Sequence, residues 1–112
     1  RTSGSYSKVL GQYVRDEGVL SLPEAIRKMT IEPARRLETM VASMASKGRL
    51  RVGADADITI FDPATVIDHS TYLDATIPST GIAWVIIGGE VVVELGEVTG
   101  ARPGRAVRAR VR

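Results

Sequence analysis

The chain has 112 residues, of which 44% are hydrophobic and 25% charged, an ordinary globular composition with room for one small hydrophobic core. It contains no Cys, which excludes a disulfide framework, a thiolate nucleophile and a cysteine-based zinc site; the redox compartment stays undecided, and the cytoplasm is the default expectation. No run approaches the roughly 18 apolar residues of a membrane span, and the first residues lack the basic-then-apolar pattern of a signal peptide, so a soluble chain with no membrane partner is expected.

The pI near 9.3 raises a nucleic-acid partner until the charges are located. Arg102, Arg105, Arg108, Arg110 and Arg112 all follow residue 100, and residues 1–97 hold ten basic against thirteen acidic side chains, a net −3. The body is mildly acidic and only the tail is basic. The tail lacks interleaved aromatics for base stacking, so a solvated tail is the more economical reading and nucleic acid an unlikely partner.

In chain order, the stretch "SGS" reads as a loop and cap before a first helix. Tyr6, Val9, Leu10, Tyr13 and Val14 follow the i, i+3, i+4, i+7, i+8 spacing of an apolar helical stripe, which Gly18 ends as a left-handed cap. Ser21 and Glu24 form a capping box for a second helix with Pro23 in its first turn and Leu22, Ala25, Ile26 and Met29 inward. Thr30 caps a third helix with Pro33 in its first turn, Ala34 and Leu37 inward and Arg35 and Arg36 outward. Residues 38–47, "ETMVASMASK", either extend that helix to Gly48 or form a mobile loop.

After Gly48 the hydrophobic period shortens to two. Leu50 and Val52 alternate before a turn at Gly53. Ile58–Phe61 reads as a strand stopped by Asp62-Pro63, and its near-continuous apolarity predicts burial on both faces. Trp84–Ile87 and Val91–Val93 predict a hairpin closed by Gly88-Gly89. The intervening "ATVIDHSTYLDATIPST" is turn-rich and predicts a loop over the surface. Helices followed by strands make an α+β pattern, or the tail of one domain followed by part of another.

No complete catalytic site emerges from these residues. His69 stands alone beside Asp68 and Asp74 at no metal-ligand spacing, and a structural or exposed histidine is the simpler reading. Asp55 and Asp57 could be a general acid–base pair, but an Asp at a strand entry more often caps backbone N–H groups. Ser3, Ser5 and Ser7 have no His base within sequence reach.

The stretches "RTSGSYSKVLGQYVRDEGVLSLPEAIRKMTIEPARRL", "KGRLRVGADADITIFDPATV" and "GIAWVIIGGEVVVELGEVTGARPGR" together resemble the C-terminal end of the amidohydrolase superfamily, in its D-aminoacylase branch of N-acyl-D-amino-acid deacylases. The resemblance covers almost the whole chain, which opens at Arg1 without a Met and is expected to be a fragment of a longer protein. It implies a parent with a metal-bearing (β/α)8 barrel and a small composite β-sandwich. Residues 1–47 would then be terminal barrel helices, and residues 48–112 the sandwich part with the basic tail. It also implies that zinc and its ligands, with the catalytic Asp, lie upstream, leaving no catalytic or metal residue in this chain. "RTSGSY" matches the family pattern from the Arg onward, so the resemblance implies that Arg1 binds the substrate α-carboxylate.

The expected function is therefore part of a metal-dependent hydrolase acting on the amide bond of N-acyl-D-amino acids. The fragment would be inactive alone, partnered by the remainder of its parent, and prone to self-association through helical stripes that lack their barrel partners. The alternative is a free-standing binding or scaffolding module that uses its arginine tail on an acidic partner.

Overall fold

A computed structural model describes residues 3–109 of the chain. Helix α1 (Ser5–Lys8) continues as a π-helical stretch over Val9–Asp16. The wide turn shows in its last bond, where the Glu17 N–H donates to the Gln12 carbonyl five residues back at 2.8 Å. Gly18 then takes φ +63°, the left-handed stop its sequence predicts. The expected stripe holds in part: Leu10 is buried with Val9 and Val14 packed beside it, but Tyr6 is exposed and the buried face extends to Ser7 and Gly11. The face is chosen by a distant segment at Val66, whose backbone comes so close that only a residue without a side chain fits at Gly11.

Helix α2 (Leu22–Met29) starts where predicted, with the Glu24 N–H donating to Ser21 Oγ at 3.4 Å. The carboxylate of Glu24 turns forward instead of back, lying 4.0 Å from Arg27 and 3.7 Å from Lys28. Ala25 is fully buried, Leu22 and Met29 are half-buried, and Ile26 is exposed. Helix α3 (Ile31–Glu38) follows directly, but Thr30 does not cap it through its side chain. The Thr30 hydroxyl donates at 2.7 Å to the Ile26 carbonyl, satisfying the end of α2 rather than the start of α3. Ala34 is buried as expected, whereas Leu37 is exposed. Residues 38–47 neither prolong α3 nor form a plain loop; after a turn they make a short 3₁₀ segment at Ala42–Ser46.

The predicted alternation at Leu50 and Val52 forms no strand, and both side chains are exposed. A tight turn, closed by the Ala54 N–H on the Arg51 carbonyl at 3.1 Å, occupies this stretch. Strand β1 (Ile58–Phe61) ends at Asp62-Pro63 as its sequence predicts. It pairs with β2 (Ile82–Ile87), which pairs with β3 (Glu90–Glu94) and that in turn with β4 (Glu97–Val98), in an antiparallel four-stranded meander. Gly88 and Gly89, at φ +58° and +85°, supply the two positive angles that a tight hairpin turn requires.

Burial of β1 on both faces does not hold within this chain. It is the edge strand, Ile60 is 49% exposed, and only the Phe61 end reaches the core. The α+β order is as expected, with the helices and the sheet meeting around Leu10, Ala25 and Val66. Val66 overturns the surface-loop expectation for the segment before β2. It is 0% exposed, and its neighbour Ile67 forms a two-way backbone bridge with Thr80 at 3.1 Å.

Candidate functional site

The sequence places its one substrate-binding candidate, Arg1, outside the described residues. Ser3 and Gly4, the first described residues, meet a loop distant in sequence. The Ser3 hydroxyl donates to the Ala75 carbonyl. Gly4 is buried against Asp68, and a β-carbon on Gly4 would overlap the Asp68 carboxylate. The Gly4 carbonyl accepts the Lys8 N–H at 2.8 Å, so the same residue that faces Asp68 also starts α1.

The loop receiving this segment is braced by short polar turns. Asp68 Oδ1 accepts the Ser70 N–H at 2.8 Å. The Ser70 hydroxyl, then its N–H, and the nearby Lys8 ammonium hold the Asp68 carboxyl below the usual carboxylate range. Asp74 repeats the pattern, accepting from Thr76 N–H at 3.0 Å and Thr76 Oγ1 at 2.7 Å, and its pKa is lowered by those two bonds. Thr71 closes the loop between them: its N–H donates to the Asp74 carbonyl at 2.8 Å while its hydroxyl accepts the Asp74 N–H at 2.9 Å. Together with α1, this loop lines a half-open polar cleft formed by Lys8, Gln12, Asp16, Ile67, Asp68 and Ser70.

The other singled-out residues have structural partners. His69 Nε2 lies 2.8 Å from Thr80 Oγ1, across the bridge that closes the loop. Asp55 and Asp57 share the Lys47 ammonium at 2.7 and 2.6 Å, and Asp57 Oδ1 also accepts the Gly88 N–H at 2.8 Å. Asp57 thus caps the hairpin turn, the backbone role anticipated for it. Arg102, Arg105 and Arg108 are exposed, while Arg110 and Arg112 lie outside the described residues.

Among the described residues, no group of three or more His, Cys, Asp or Glu side chains could hold a metal ion. Zinc therefore does not fit the residues described, and no chemical step can be routed through it here. No described helix is long and apolar enough to cross a membrane.

Sequence reasoning missed the junction of Gly4 with Asp68 and of Ser3 with Ala75. Half of it had a signal: "DHS" at 68–70 and "DAT" at 74–76 both carry the spacing at which an Asp side chain bonds the backbone N–H two residues on. Nothing local announced that the first such turn would meet Gly4.

The fold is thus an α+β unit in which Ser3 and Gly4 meet a loop braced by short polar turns. Residues 2–93 match the model of the amidohydrolase family, and the chain belongs to that family. It is 43% identical over 108 residues to an N-acyl-D-glutamate deacylase from Alcaligenes xylosoxydans xylosoxydans, a match covering 96% of this chain and 21% of that protein. Its structure is similar to that of a D-aminoacylase described as defining a novel subset of amidohydrolases, with a TM-score of 0.81 at 36% identity, covering 91% of this chain and 20% of that one. It is also similar to the N-acyl-D-glutamate deacylase of Bordetella bronchiseptica, solved with zinc and a phosphonate mimic of the tetrahedral intermediate. That match has a TM-score of 0.76 at 38% identity, covering 92% of this chain and 20% of the other. The chain spans about a fifth of the length of the curated relatives it matches, and the D-aminoacylase resemblance noted in the sequence is borne out by them.

Proposed function

We propose that this chain is the C-terminal part of a metal-dependent amidohydrolase that cleaves the amide bond of N-acyl-D-amino acids. The observation that carries the reading is similarity over nearly the whole chain, in sequence and in fold, to deacylases of that substrate class. In this reading residues 1–47 complete the helical shell of a (β/α)8 barrel, and residues 48–112 contribute strands to a composite β-sandwich. A metal held by the rest of the parent would supply an activated water and polarise the scissile carbonyl.

The contribution of this chain is support and substrate orientation. Arg1 offers a planar guanidinium that can grip the substrate α-carboxylate through two parallel N–H bonds. The braced loop and the meander hold the ground on which that end of the active site rests.

The test is an assay of the intact parent on matched N-acetyl-D- and N-acetyl-L-amino acids, with and without added zinc. Release of the free D-amino acid, lost on metal chelation, is expected; no turnover of any D-substrate would overturn the assignment. The 112-residue stretch assayed alone in zinc is expected to be inactive.

A further inference from the structure

We propose that Tyr72 and Leu73, at the tip of the braced loop, dock into an apolar hollow on the part of the parent polypeptide that precedes Ser3. The proposal rests on the reading of this chain as the C-terminal part of a longer enzyme and adds a surface through which the two parts meet.

Tyr72 and Leu73 are the middle residues of a turn closed from both sides. The Thr71 N–H donates to the Asp74 carbonyl at 2.8 Å, and the Asp74 N–H donates to the Thr71 hydroxyl at 2.9 Å. Each end is braced again from outside, by the Ser70 N–H on Asp68 Oδ1 at 2.8 Å and by the Thr76 N–H on Asp74 Oδ1 at 3.0 Å. Polar groups of the loop thus fix the backbone of the tip, while the two apolar side chains it carries are wholly exposed, at 110% and 101%. A tyrosine and a leucine held in this way have already lost much of the freedom that docking costs, and they gain hydrophobic stabilisation only when a surface covers them. Tyrosine is also among the residues that most often anchor an interface.

The position of the tip selects the occupant. The Ser3 hydroxyl donates to the Ala75 carbonyl, and the Leu73 α-carbon lies within about 7 Å of that of Ala75. The polypeptide ahead of Ser3 therefore joins the described fold beside this tip. The chain spans about a fifth of the length of its curated relatives, so a parent of that size has ample further surface to cover the two side chains. A hollow on the same polypeptide is presented at an effective concentration of about millimolar or more, well above that of a second copy in dilute solution.

The experiment uses the intact parent. Nitration of Tyr72, read from the mass of its peptide, is expected to be roughly tenfold slower in the folded parent than in the parent unfolded in urea. Equal rates would overturn the proposal, and so would protection that disappears on dilution, which would put a second copy on the tip. Tyr72→Ser and Leu73→Ser are each expected to lower the melting temperature of the parent by about 2–5 °C, and Tyr72→Phe by much less. Unchanged melting in both serine variants, or a loss in Tyr72→Phe as large as in Tyr72→Ser, would overturn the apolar hollow. The labelling needs no variant, so the test stands even if a substituted parent fails to fold. A parent that hydrolyses N-acetyl-D-amino acids while Tyr72 labels freely overturns the docking alone. One that protects Tyr72 but turns over no D-substrate supports the docking and overturns only the assigned activity.

Discussion

Gly11, in the π-helical stretch, lies so close to Val66 that a β-carbon on it would sit 2.5 Å from the Val66 carbonyl oxygen. The same carbonyl accepts a bond from Arg15 Nη1 at 2.6 Å. One buried residue in a polar loop is thus approached by a glycine and held by an arginine one turn further along the helix.

Gly11→Ala is expected to destabilise the chain by about 1–3 kcal/mol, since the methyl must displace backbone. Helix propensity alone predicts the opposite, a gain of about 1 kcal/mol. Urea unfolding decides between them, and a raised midpoint would refute the close approach. Arg15→Met is expected to cost about 1 kcal/mol more than substitution at an exposed site, because the Val66 carbonyl loses its charged donor.

The Lys47 bridge predicts a pH window. The Lys47 hydrogen bond and then the Gly88 N–H lower the Asp57 pKa below 3.8, so its contribution is present above that value and is lost as pH falls through the lower folded pKa. Bonds to Asp55 and Asp57 raise Lys47 above 10.5, so its contribution is complete below 10.5 and is lost as pH rises through the folded pKa. Both side chains are partly exposed, and solvent screening keeps the Lys47–Asp57 pair under about 1 kcal/mol. Asp57→Asn should flatten the acid limb of a stability–pH curve, with its Gly88 bond retained; an unchanged acid limb would show that the bridge does not form in solution.

Leu95 has φ +50° in the turn joining β3 to β4, beside Gly96 at +86°. A branched side chain in the left-handed region costs about 1–2 kcal/mol, and Leu95 is 76% exposed, so little burial offsets that cost. Leu95→Gly or Leu95→Asn is expected to raise the melting temperature. A drop would mean that the Leu95 side chain has a partner this chain does not contain.

Isolated from any parent, the chain is expected to self-associate. Leu50, Val52, Ile60, Tyr72, Leu73 and Val98 are exposed, apolar surface that a second copy can cover. Light scattering should report dimers or larger species, shifted toward monomer by Ile60→Lys; a monomer at high concentration would remove the prediction.

The elements legible beforehand share one property, that their determinants lie within a few residues of each other. Ser21 and Pro23 set the start of α2, Asp62-Pro63 the end of β1, and Gly88-Gly89 the turn between β2 and β3. Each is decided by local dihedral preference and nearby hydrogen bonding. The β4 hairpin escaped notice because Leu95 is a poor residue for the conformation it adopts.

By itself, then, the sequence determined the order of helices and strands, their main stops and turns, and membership of the amidohydrolase family. Only the tertiary structure decided that the buried face of the first helix extends to Ser7 and Gly11, that Val66 belongs to the core, and that Asp68 lies against Gly4. Those outcomes depend on how closely two remote backbones approach, and the missing β-carbons of Gly4, Gly11 and Gly81 that permit the approach show no pattern until the chain is folded.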